Sequence, residues 1–140
     1  PGMDMLGDAT DPQAAVWRRN YHWVVMNPPF AQAFPILKLA WEHTTVGVAM
    51  LMRLSFLEPV NGYYDKQGRF AWKPDPRGAW LMAHESDMSH LLVFGSPRPS
   101  FTGGGNDSVT TGWAVWMHGY GQSGMGTKVR FLPGWKEVVA

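Results

Sequence analysis

Tyr21-His22-Trp23-Val24-Val25-Met26, running straight into Asn27-Pro28-Pro29-Phe30, is the stretch that decides the fold. The first six residues are β-branched, aromatic or apolar, and read as a short buried strand. Beyond the tetrapeptide, residues 31–43 place Phe34, Ile36, Leu37, Leu39, Ala40 and Trp41 at the spacing of a helix laid against a sheet. Pro35 falls near the start of that helix, where a missing N–H is tolerated. Thr44-Thr45 ends it. Residues 46–52, Val-Gly-Val-Ala-Met-Leu-Met, are continuously apolar, as in a central parallel strand. Strand, turn, helix and strand make a βαβ unit, so the fold class is α/β. The tetrapeptide then sits at a strand's carboxyl end, where open α/β sheets put their ligand sites.

The chemistry of that turn follows from its residues. Two successive prolines fix φ and remove two backbone donors, leaving a stiff turn that offers carbonyls. Asn27 adds an amide with an acceptor and two donors, and Phe30 adds a flat apolar face. Two acceptor oxygens beside a ring suit a planar substrate with an exocyclic amine, whose hydrogens the oxygens hold while the ring stacks on the base. An Asn-Pro turn without chemistry has the same residues. The strand before it and the helix after it favour the site.

Upstream, Asp8 follows Met3, Met5, Leu6 and Gly7, as a carboxylate at the end of a strand. Asp11-Pro12 reads as N-cap and first residue of a helix over 13–19, closed by the cations Arg18-Arg19. Downstream, Arg53 leaves the second strand at the edge that carries Asn27, free to meet phosphate or to pair with Glu58. Tyr63-Tyr64-Asp65-Lys66-Gln67-Gly68-Arg69-Phe70-Ala71-Trp72-Lys73 reads as a hairpin in which Arg69 and Lys73 alternate with aromatics, a pattern that suits nucleic acid. A short helix is expected over 78–84 and strands over 90–95, 110–117 (antiparallel) and 128–132. Between them lies a polar loop with Arg98, Ser100 and the glycines Gly103-Gly104-Gly105.

Two motifs are set aside. His84, Glu85, Asp87 and His90 do not have the spacing of a zinc site, and no metal is expected. Gly119-Tyr120-Gly121-Gln122-Ser123-Gly124 matches a dinucleotide-type glycine loop, but strand-like residues follow where a helix would have to open. It is expected to be a hairpin connection.

Composition narrows the field. The 140 residues suffice for one domain, with 45% hydrophobic and 16% charged residues, 8 Trp and 9 Met. A net charge of +1 gives no global basic field, so any nucleic-acid contact has to come from local clusters. Cysteine is absent, which excludes disulfides and thiolate metal sites and fits a reducing compartment. No apolar run approaches the roughly 18 residues of a membrane span.

Four blocks, in order, resemble a known family: Asp8-Ala9-Thr10-Asp11-Pro12, Trp23-Val24-Val25-Met26-Asn27-Pro28-Pro29-Phe30, Arg53-Leu54-Ser55-Phe56-Leu57-Glu58 and Arg98-Pro99-Ser100-Phe101-Thr102-Gly103. They are similar to phage-type DNA adenine-N6 methyltransferases, which use S-adenosylmethionine on a Rossmann-like fold. The resemblance spans residues 6–118. It implies a partial Rossmann-like sheet, with parallel strands and an antiparallel strand near the C-terminus. It also implies catalysis at Asn27, Pro28, Pro29 and Phe30, cofactor contacts from Asp8 and Asn27, and DNA as partner. The DNA-binding candidates are Arg53, Arg69, Lys73, Arg98 and Ser100, and the compartment is cytoplasmic, the host's if phage-encoded. The tetrapeptide alone is also similar to that of methyltransferases acting on ribosomal RNA, cytosine N4 or protein glutamine.

The family's glycine-rich donor loop and ribose-gripping acid would lie upstream of Asp8. The chain starts at Pro1, so it is expected to be the C-terminal two-thirds of one methyltransferase domain, with a substrate-contacting insertion at about 59–90. The alternatives are the same chemistry on RNA or protein, and an inactive nucleic-acid-binding remnant.

Overall fold

The computed structural model describes residues 7–59, 61–73, 75–95 and 109–133. In it the run before the tetrapeptide is β1 (Tyr21–Met26), and residues 46–52 lie within β2 (Thr44–Arg53). The two strands are parallel neighbours, with Val24 beside Val48 and Met26 beside Met50. A 3-10 turn (Phe30–Gln32) and α1 (Ala33–Glu42) connect them. The α-helix starts two residues later than its apolar pattern suggests. Pro29 is extended, at φ −54° and ψ 131°, and its carbonyl accepts from the Gln32 N–H at 2.9 Å, which tightens the first turn. Pro35 is the third residue of α1, where an N–H would have no partner within the helix.

The hairpin is β3 (Asn61–Tyr64) paired antiparallel with β4 (Phe70–Lys73), a two-stranded sheet of its own. It is followed by α2 (Pro76–Ala83), capped as its sequence dictates: Asp75 accepts from the Gly78 N–H at 2.6 Å and Pro76 opens the helix. Then come β5 (Met88–Phe94), β6 (Thr111–Met117) and β7 (Lys128–Leu132). The main sheet runs β1-β2-β6-β5-β7. The pairs β1–β2 and β5–β7 are parallel, and β6 is antiparallel to both its neighbours. The expected α/β class and the antiparallel strand near the C-terminus are therefore both present.

Helices cover one face of this sheet among the described residues. Val48, Met50 and Met52 of β2 and Ala114 and Trp116 of β6 are fully buried there, against Ala33, Ile36, Leu37 and Ala40 of α1 and Leu81 of α2. The opposite face carries Trp23, Val25, Ala49, Leu92, Trp113 and Val115, all partly or largely exposed. The unbroken apolar run of β2 reads as buried on both sides, but its burial alternates.

Two expectations are corrected. Residues 13–19 do not form an α-helix; only Ala15–Trp17 turn, as 3-10. The Asp11 carboxylate accepts from the Gln13 N–H, and the Tyr21 hydroxyl donates to the Val16 carbonyl at 2.6 Å, an acceptor that a helix would need for itself. Buried Trp17 adds a bond from its indole N–H to the Ala9 carbonyl, folding the segment back. Second, residues 119–124 are not a hairpin connection. The strand that follows them pairs with β5 rather than β6, so the chain passes the start of β5 on its way. The Gly121 N–H reaches Asp87, and the Thr127 hydroxyl donates to the Met88 carbonyl.

Candidate active site

The carboxyl ends of β1, β2 and β5 and the start of β6 meet at one edge of the sheet. Met26 is level with Met50, β2 continues to Arg53, Arg53 is opposite Thr111, and Gly112 is opposite Val93. The tetrapeptide and Arg53 are thus brought to the same edge by topology alone. The glycine motif at 119–124 follows the end of β6, which the antiparallel pairing puts at the opposite edge. There it forms a 3-10 turn (Tyr120–Ser123) between Gly119 and Gly124, both at positive φ, and no helix opens from it.

Within the tetrapeptide, burial sorts the roles. Pro28 is buried and anchors the turn, Phe30 is half-buried, and Asn27 and Pro29 are exposed. The Pro29 carbonyl is used by Gln32, whereas the Pro28 carbonyl accepts no bond from the described residues. The Asn27 amide likewise has no hydrogen-bond partner among them. Two acceptors, the Asn27 side-chain oxygen and the Pro28 carbonyl, are therefore uncommitted among the described residues, on a turn that its prolines stiffen.

Arg53 lies over Phe30, its guanidinium carbon 4.4 Å from the ring centroid. That is a cation–π contact, stabilising by about 0.5–2 kcal/mol depending on its desolvation. Among the described residues the buried Arg53 Nε has no hydrogen-bond partner, and no ion pair with Glu58 forms. Arg53 and Phe30 are 23 residues apart in the chain, and no local spacing announces the pair. Only the βαβ register brings them together.

Asp8 is exposed and makes its own turn. One carboxylate oxygen accepts from both the amide and the hydroxyl of Thr10, each at 2.8 Å. These bonds, the amide's first and then the hydroxyl's, hold its pKa below the ordinary aspartate value. The stabilisation this gives the turn is present above the unfolded pKa and lost as pH falls through the folded one. An NMR titration of Asp8 should show a midpoint below that of a free aspartate. Thr10→Ala should bring it part of the way back, because the amide bond survives; an unmoved midpoint would mean that the hydroxyl does not bind. The second carboxylate oxygen remains able to accept from an amine.

The chain matches no protein-family model, no curated protein and no solved structure.

The remaining candidates are scattered. Arg69 is in the β3–β4 turn, its side chain 75% exposed and paired with Asp65 at 2.9 Å. Lys73 ends β4. Arg98, Ser100 and the triple glycine lie outside the described residues, as does the segment before Gly7. His84 bonds the Trp80 carbonyl and stacks on the Trp80 ring, His90 bonds Ser89, and Asp87 accepts from Gly121. No helix among the described residues is long and apolar enough to cross a membrane.

One group of exposed residues lies outside the candidates above. Tyr64, Phe70 and Trp72 form a continuous, exposed row on the hairpin. The alternation of Phe70 and Trp72 in β4, with Tyr64 paired to Phe70, was the available signal.

Proposed function

We propose that these residues form the target-base end of an S-adenosylmethionine-dependent DNA adenine-N6 methyltransferase. The observation that carries this is a pair of acceptors, the Asn27 amide oxygen and the Pro28 carbonyl, uncommitted among the described residues and held by a buried proline at the carboxyl end of a parallel strand. Together they accept the two hydrogens of an exocyclic amine, orienting its nitrogen for attack. Phe30, braced by Arg53, stacks on the base, which has to leave the duplex to reach this edge. The partial Rossmann-like sheet that the resemblance implies is supported by the parallel β1–β2 pair and by antiparallel β6 beside it.

The residues present fit the donor in part. S-adenosylmethionine supplies the methyl group when bound, and the second oxygen of Asp8 would accept from its adenine amine. The one glycine-loop match, at 119–124, is at the wrong edge to take part. The 140-residue chain should therefore bind S-adenosylmethionine weakly or not at all, and micromolar affinity by calorimetry would contradict this division of the site. The acceptor is tested in the full natural protein with labelled donor and DNA, RNA and protein offered in parallel. Incorporation at adenine N6 of DNA is expected; incorporation into RNA or protein alone overturns the acceptor assignment. A non-catalytic nucleic-acid-binding role is the second reading. The commitment of one Asp8 oxygen to Thr10 favours it, and nucleic-acid binding without transfer to any acceptor would support it.

A further inference from the structure

We infer that the β3–β4 hairpin is a stacking platform for unpaired nucleobases, separate from the tetrapeptide and formed by Tyr64, Phe70 and Trp72. This deepens the function proposed above, from which it takes nucleic acid as substrate, but its test does not depend on methyl transfer.

The three rings lie on one face of the hairpin. Tyr64 is paired with Phe70, and Gly62 with Trp72. Ring centroids are 5.4 Å apart from Tyr64 to Phe70 and 4.7 Å from Phe70 to Trp72, with interplanar angles of 68° and 88°. Phe70 thus stands between its neighbours at a steep angle to both. Gly62 makes this possible: a β-carbon there would come within 2.5 Å of the Phe70 ring. The row is nonetheless not a core, since Tyr64 is 73%, Phe70 50% and Trp72 65% exposed. Three aromatic side chains left in water on a hairpin that is its own small sheet mark a binding surface rather than a packing one.

Charge selects the occupant. From Asn61 to Lys73 the sequence has the cations Lys66, Arg69 and Lys73 against the single carboxylate Asp65, which is already bonded to Arg69. Exposed rings beside a turn that carries Lys66 and Arg69 are what single-stranded nucleic acid requires: faces for bases and positive charge for phosphates. An apolar protein partner would not need the cations, and a paired duplex offers no free base face. The Asp65–Arg69 pair also stiffens the turn: Asp65 accepts from the amides of Gln67 and Arg69 as well as from the Arg69 side chain, each at 2.9 Å.

Fluorescence anisotropy of the chain with labelled deoxyoligonucleotides tests this, using a single strand, a full duplex and a duplex with two unpaired adenines. The wild type should bind the single strand and the bulged duplex more tightly than the full duplex. Trp72→Ala and Tyr64→Ala should each weaken single-strand binding about five- to a hundredfold, and Trp72→Phe should restore most of it. Phe131→Ala, at an exposed apolar residue on β7, should change nothing. The mutated rings are exposed, and circular dichroism verifies that each variant is folded. Failure of the wild type to bind unpaired strands overturns the inference. So does wild-type affinity in the ring variants, an equal loss in Phe131→Ala, or a dimer that Trp72→Ala converts to a monomer in sedimentation. If binding behaves as described while methyl transfer is absent, the proposed activity falls and the platform stands.

Discussion

Asn27→Ala is expected to lower methyl transfer to adenine by at least about a hundredfold, the scale of losing one positioned polar group in an active site, while donor affinity stays nearly unchanged. An aromatic amine is a poor nucleophile because its lone pair is delocalised into the base. Holding both amino hydrogens on fixed acceptors lets the nitrogen become more tetrahedral as it attacks. The Pro28 carbonyl belongs to the buried residue of the turn and survives the substitution, but alone it holds only one hydrogen. Phe30→Ala should instead weaken the hold on the flipped base, by about 1–3 kcal/mol if base–aromatic stacking is the guide, and Phe30→Trp should retain more activity than Phe30→Ala. Because Arg53 lies over the Phe30 ring, part of the Phe30→Ala loss will reflect a guanidinium left without its support. Single-turnover rates and base-binding measurements in the full natural protein separate the two effects. Near-normal adenine methylation by Asn27→Ala would reduce the tetrapeptide to an ordinary turn and remove the basis for the proposed function.

The local signals in the chain were legible, and the non-local ones were not. The β1–α1–β2 unit could be read because each part has its own periodicity and the prolines punctuate them. The short helix expected over 78–84 is present as α2, but it begins two residues earlier, because Asp75 caps it and Pro76 opens it. The segment 13–19 misled: Asp11-Pro12 starts a helix in isolation, but the Tyr21 hydroxyl and the Trp17 indole redirect its backbone through contacts five and eight residues away. Beyond the parallel β1–β2 pair, the strand order escaped. Nothing between residues 118 and 127 says that the next strand pairs with β5 and not with its sequence neighbour. At the site, the tetrapeptide was legible as a motif. The Arg53–Phe30 contact depends on the register of two strands, and register is a property of the sheet.

The largest effect on stability is expected at Trp116. Its ring is fully buried on β6, meets Trp80 of α2 edge-to-face at 5.7 Å, and shares the covered side of the sheet with Val48, its partner in register. It therefore joins α2 to the middle of the sheet, and its removal leaves a large cavity. Trp116→Ala should cost about 3–5 kcal/mol, a large share of the roughly 5–15 kcal/mol that holds a domain folded. Trp116→Phe separates volume from polarity. The indole N–H is buried and has no hydrogen-bond partner among the described residues, so phenylalanine removes an unsatisfied donor along with part of the ring. An unsatisfied buried donor costs about 1–3 kcal/mol, which offsets much of the volume lost. Urea unfolding of the two variants should then show Trp116→Phe losing well under half of what Trp116→Ala loses, with equal m-values. Equal losses would mean that the N–H is satisfied, by water or by a group beyond the described residues. A loss under about 1 kcal/mol for Trp116→Ala, the scale of an ordinary surface change, would mean that α2 is not held to the sheet through this ring.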